Sequence, residues 1–224
     1  MKSHLPRLAR AALTAFSLSA ALANAQTTQI DAAVTDLRGK PVADAVVIAV
    51  PADGSLRTGF RSREAVVDQV SKEFVPKVLA IAVGTTVTFP NHDNVRHHVY
   101  SFSSAKRFEL PLYAGATAQP VVFDKPGVVV LGCNIHDWMI GYVYVSESPY
   151  FATTGDDGKA LIAGLPPRAY IVRVWHPEQA DAEAKTQKDV DTSRSARVDV
   201  AWELRLKPEV KIRRAPVGER GGPY

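Results

Sequence analysis

GVVVLGCNIHDWMIGYVYVSE, residues 127–147, reads as two apolar strands joined by a short loop. The flanking runs, GVVVLGC (127–133) and MIGYVYVSE (139–147), are rich in Val, Ile and Tyr, residues that suit a pleated, packed surface. The loop between them, CNIHDWM (133–139), holds the only cysteine of the chain, then His136 and Met139 at three-residue steps; the one other methionine is Met1. A loop joining neighbouring strands can fold three such side chains onto one point.

Outward from this stretch the chain keeps the same character. IDAAVTD (30–36), VADAVVIAV (42–50), VVDQV (66–70), VLAIAV (78–83), TTVTFPN (85–91), HHVYSF (97–102), TAQPVVFD (117–124), GKALIAGL (158–165), AYIVRVWHP (169–177) and ARVDVAWELRL (196–206) are short strand-like runs. Turn residues such as RGKP, Gly84 and GLPP divide them. The pattern predicts an all-β chain of sandwich architecture. Residues 178–195 are polar and predict an exposed loop with at most a short helix, and 207–224 predict a disordered basic tail.

Residues 1–25 have the form of a secretory signal peptide: Lys2, Arg7 and Arg10, then an apolar run, then ANA before Gln26. No other run approaches the ~20 apolar residues of a membrane span, so the mature chain is expected to be exported, to the periplasm, without a membrane span. The formal net charge of +4 falls to +1 without that segment, which has three Lys/Arg and no Asp/Glu. The tail 207–224 carries five basic and two acidic residues, so the body is mildly acidic. Basicity therefore sits at the two ends, and no nucleic-acid partner is implied. A single cysteine cannot form an internal disulfide, and an unpaired thiol in an exported protein is inert, dimerises or binds metal.

Thiolate, imidazole and thioether are soft to borderline donors. They favour copper over calcium or magnesium, and zinc rarely takes a thioether. Cys133, His136 and Met139 thus read as three ligands of one copper ion. Candidates for a further ligand are His92, His97, His98 and His176. The stretch VTFPNHDNVRHHVYSF (87–102) carries Val87, Phe89, Asn91, His97 and Val99. In this it resembles cupredoxins of the plastocyanin and amicyanin type, in which a V-x-F-x-N strand end is followed by a loop and a ligand histidine opening the next strand. Cys-x-x-His-x-x-Met resembles the short amicyanin-like spacing. The resemblance implies one type 1 copper ion held by His97, Cys133 and His136, with Met139 as a weak axial ligand. Arg96 stands where the family usually has Pro and His98 where it usually has Asn, which leaves His98 as the alternative to His97. Strand alternation places His97 with Val99 on one face and His98 with Tyr100 on the other. His92 and Asp93 are expected in an exposed loop, Asp137 and Trp138 facing solvent or a partner, and His176 in a structural role.

The flanks resemble a second family. IDAAVTDLRGKPVADAVVIAVP and TTGDDGKALIAGLPPRAYIVRV (153–174) are similar to the two halves of a carboxypeptidase regulatory-like, transthyretin-like β-sandwich. The expectation is a cupredoxin Greek-key sandwich, 62–147, nested in a small sandwich built from 27–61 and 148–206; the alternatives are one larger sandwich or a cupredoxin with plain extensions. By resemblance the protein is a blue-copper one-electron carrier and not an enzyme, with a redox partner docking near His136, where Ile135, Trp138 and Ile140 form an apolar patch. The link of amicyanin to methylamine utilisation belongs to the resemblance alone. A copper storage or delivery protein is the second expectation. A multicopper oxidase or reductase would need His-x-His clusters, and the chain has none.

Overall fold

Strand β1 (Thr28–Asp36) alternates buried and half-buried residues along its whole length, whereas β2 (Val46–Pro51) is buried at five of its six positions. The difference reports position in the fold: alternation marks a strand with one covered face, and a continuous apolar run marks a strand covered on both. The computed structural model describes residues 27–55, 63–115 and 119–208. Residues 1–26, which hold the segment expected as a signal peptide, residues 56–62 and 116–118, and most of the expected basic tail lie outside the described residues.

The further strands are β3 (Glu64–Val66), β4 (Asp68–Val70), β5 (Glu73–Val75), β6 (Val78–Ala82), β7 (Thr85–Thr88), β8 (His97–Phe102), β9 (Arg107–Tyr113), β10 (Val121–Phe123), β11 (Gly127–Gly132), β12 (Ile140–Ser146), β13 (Tyr150–Thr153), β14 (Lys159–Leu165), β15 (Ala169–Trp175), β16 (Lys188–Asp191) and β17 (Arg197–Leu204). The chain is all-β apart from one 3-10 turn, Glu183–Thr186, among the described residues. Residues 178–195, expected as an exposed loop, include β16, which pairs antiparallel with β15; backbone pairing overrides its polar sequence. Strands β5, β9 and β13 also lie outside the runs read from the sequence.

The sheets fall into two sets. β14-β1-β17 and β13-β2-β15-β16 enclose one core containing Ile30, Val34, Leu165, Tyr170 and Trp202. β10-β7-β3 and β6-β12-β11-β8-β9 enclose a second core containing Phe89, Phe123, Leu131, Cys133 and Met139. Strands between residues 64 and 146 pair only with one another, as do those of 28–51 and 150–204. A third cluster joins the sets: Val46 and Ile48 of β2 meet Val78 of β6 and Tyr144 of β12, with Trp175 against Tyr142 and Tyr144. The two sandwiches therefore share a packed apolar face instead of hanging from a linker. That is why VVIAVP and GYVYVS are apolar on both faces: Val47 and Ala49 serve one core while Val46 and Ile48 serve the junction.

Polar contacts seal the same junction. The Arg173 guanidinium of β15 reaches Glu147 and Glu183, and the Tyr144 hydroxyl donates to Glu183 Oε1 at 2.7 Å. In the sandwich that contains β1, Gly158 has φ +70°, and a Cβ there would fall 2.5 Å from the Val34 carbonyl oxygen. Gly158→Ala is accordingly expected to cost about 1–3 kcal/mol for its left-handed backbone alone, with the backbone clash added. Urea unfolding checks this; a midpoint equal to wild type would contradict it.

Candidate metal centre

Gly132 and Ile140 are paired across β11 and β12, so residues 133–139 form a closed loop at the sheet end. Inside it the Met139 N–H donates to the His136 carbonyl at 2.9 Å and the Ile140 N–H to the Trp138 carbonyl at 3.1 Å. These bonds curl the loop so that Cys133 and Met139, 3% and 1% exposed, turn into the core while Asn134, Ile135 and Asp137 stay outside. β8 lies beside β11 with Gly132 opposite Tyr100, and this register delivers His97 to the loop. A Cβ at 132 would fall 2.8 Å from the Tyr100 ring, so a larger residue there would have to displace that ring.

Three donor atoms converge. Cys133 Sγ lies 3.8 Å from His97 Nδ1 and 3.7 Å from His136 Nδ1, and the two Nδ1 atoms are 3.2 Å apart. His97, Cys133 and His136 form the group among the described residues able to hold a metal ion. Two imidazole lone pairs this close repel unless a proton or a cation lies between them. A single ion with bonds of about 2.0–2.1 Å to nitrogen and about 2.3 Å to sulfur would subtend roughly 100–125° between donors so spaced. The donor set therefore fits one small, borderline-soft ion. Met139 belongs to the same core cluster as Cys133 and lines the same surface groove beside Tyr100 and Ile140.

The remaining histidines lie elsewhere. His98 is on the opposite face of β8, its ring 5.7 Å from that of Tyr100. Its Nε2 is 3.0 Å from Glu109 Oε1 but off the hydrogen-bonding direction. A register shift in the β8–β9 pairing between His97 and Val99 lets both histidines be buried while pointing apart. His92 is exposed, with Nδ1 2.7 Å from Asp68 Oδ2. His176 is buried in the other sandwich, where its Nδ1 accepts from the Glu178 N–H at 3.2 Å.

Asp93 differs from its expected place in an exposed loop. It is half-buried, and its Oδ2 lies 2.7 Å from His97 Nε2. Burial pulls its carboxyl up, but the Lys72 N–H, the His97 ring and the Ser71 N–H outweigh this and hold it below the usual aspartate value. Burial pushes the His136 imidazole below the usual histidine value, and His97 beside it pushes the same way. The Trp138 ring lies 5.2 Å from that of His136, and its Nε1 is buried without a hydrogen-bond partner.

No family model and no curated protein matches the chain. Among solved structures it is similar to a purple cupredoxin from Nitrosopumilus maritimus, at 29% identity and TM-score 0.33 over 38% of this chain and 100% of that one. It is similar to a copper-containing nitrite reductase from Thermus scotoductus at 28% identity and TM-score 0.36, over 52% of this chain and 28% of the reductase. An oxidised point mutant of amicyanin matches at 21% identity and TM-score 0.34, over 46% of this chain and 99% of that one. With overlaps this limited, the fold and the centre rest on the strand pairing, cores and donor distances given above.

Proposed function

We propose that this protein is a periplasmic type 1 copper protein acting as a one-electron carrier, with His97, Cys133 and His136 as strong ligands and Met139 as the axial one. The observation that carries the reading is the convergence of two imidazole Nδ1 atoms and the lone thiol within 3.2–3.8 Å of one another at the end of a two-sheet core. Bound copper would supply a one-electron Cu(I)/Cu(II) couple.

The chain's own residues do the rest. The His97 ring is wholly buried and Cys133 nearly so, which excludes water from most of the donor set. β8 carries His97, and the loop that carries the other donors is closed at its base by the paired β11 and β12, so little has to move when charge changes. Four protein donors would leave no open position for a substrate, which favours a carrier over an enzyme. His136 is only half-buried, and Ile135 next to it in the loop and Ile140 at the loop's end are 46% and 37% exposed, which supports this end as the docking face for a redox protein. The separate pairing of the strands between 64 and 146 supports reading 62–147 as a metal-binding sandwich inserted into a second sandwich formed by 27–61 and 148–206.

Voltammetry of the copper-loaded mature protein tests the carrier role. A reversible one-electron wave is expected. Tight Cu(I) binding with no reversible wave would overturn it in favour of copper storage or delivery.

A further inference from the structure

β4 and β5 form a hairpin whose two-residue turn, Ser71–Lys72, has φ of 55° and 60°. Two left-handed residues between paired Val70 and Glu73 have the form of a type I′ turn, a geometry that usually selects Asn and Gly. Here neither residue is of that kind, and each bears the steric penalty of the left-handed region. The turn aims its two backbone N–H groups at one carboxylate. Ser71 N lies 2.6 Å from Asp93 Oδ1, and Lys72 N lies 2.8 Å from Asp93 Oδ2.

The carboxylate is fixed from behind as well. The Asp93 N–H donates to Asn91 Oδ1 at 2.9 Å, and Asn91 Nδ2 donates to the carbonyls of Val95 and Tyr113. Gln69 joins hairpin to loop, donating from its N–H to the Pro90 carbonyl at 3.1 Å and accepting from the His92 N–H at 3.0 Å. Asp93 Oδ2 then meets His97 Nε2 at 2.7 Å.

We infer that the 68–75 hairpin, acting through Asp93, is a rigid mount that fixes His97 as the Nε2–H tautomer with its Nδ1 lone pair aimed at Cys133 and His136 before any metal arrives. An ionised carboxylate can only accept, so Nε2 must donate, and the other nitrogen of a neutral imidazole is then an acceptor. Asp93 is a positioning residue: it touches the ligand, not the metal. The consequence for metal affinity rests on the reading of His97 as a ligand; the tautomer does not.

The test is a long-range proton–nitrogen correlation spectrum of the metal-free mature chain, recorded above the imidazole titration range, together with Cu(II) titration. Wild type should show His97 solely as Nε2–H. Asp93→Asn should give a mixed or Nδ1–H ring, with copper affinity lower by about 10–100-fold. The double variant Ser71→Asn, Lys72→Gly keeps both N–H groups, and its tautomer and affinity should match wild type. Asn94→Ala, exposed in the same loop, should change neither. A wild-type His97 that is already a tautomer mixture would overturn the inference, and needs no variant to be seen. So would an unchanged ring in Asp93→Asn, or a changed one in the turn double variant. If the tautomer is as expected and wild type binds no copper, the mount stands and the ligand reading fails.

Discussion

Cys133→Ser is expected to abolish the intense visible absorption of the copper-loaded protein. That absorption requires a thiolate bonded to Cu(II), and Cys133 is the only thiol in the chain. Its Sγ sits 3.8 and 3.7 Å from the two imidazole Nδ1 atoms, within reach of an ion that both would bind. A serine hydroxyl keeps its proton near neutral pH and is a harder donor, so it does not replace the thiolate as a copper ligand. At 3% exposure the side chain also packs in the core with Leu131 and Met139, so the exchange is tested for folding by circular dichroism. A folded serine variant that keeps the band would remove Cys133 from the ligand set.

Arg173→Ala is expected to produce a large loss of stability. The guanidinium bridges Glu147 and Glu183, and the side chains of the three are only 15%, 29% and 25% exposed. Removing it leaves two half-buried carboxylates facing one another, with Tyr144 still donating to Glu183. Breaking a buried pair costs about 3–5 kcal/mol, and the partial exposure here lowers the expectation to about 2–4 kcal/mol. Arg173→Lys should recover only part of the loss, because one ammonium lacks the fork that meets two carboxylates. Denaturant midpoints of the three proteins decide it. An alanine variant within about 0.5 kcal/mol of wild type, the range of an ordinary surface change, would show that the apolar junction alone holds the sandwiches together.

The downstream half of the candidate site was legible because it is local. Cys133, His136 and Met139 lie in one loop closed by the Gly132–Ile140 pair, so spacing alone brings them near one another. His97 was separable from His98 because strand alternation survives the register shift in β8. Asp93 was not legible: it sits in an irregular loop without periodicity, and the hairpin it binds turns on Ser71 and Lys72 without the Asn-Gly signal of such turns. β9, RFELPLY, was obscured by its proline and alternating charge, and β16, KDVD, by having one apolar residue; neighbouring strands define both. The junction between the sandwiches had a cue in the unbroken apolar run of VVIAVP, but alternation identifies one buried face and cannot say what covers the other.

The proposed function requires that one ion be held jointly by His97, Cys133 and His136. X-ray absorption at the copper edge of the loaded protein tests it most directly. The expected result is one sulfur scatterer at about 2.2–2.3 Å and two imidazole nitrogens at about 2.0 Å. A shell of oxygen and nitrogen alone, with no sulfur at bonding distance, would contradict it.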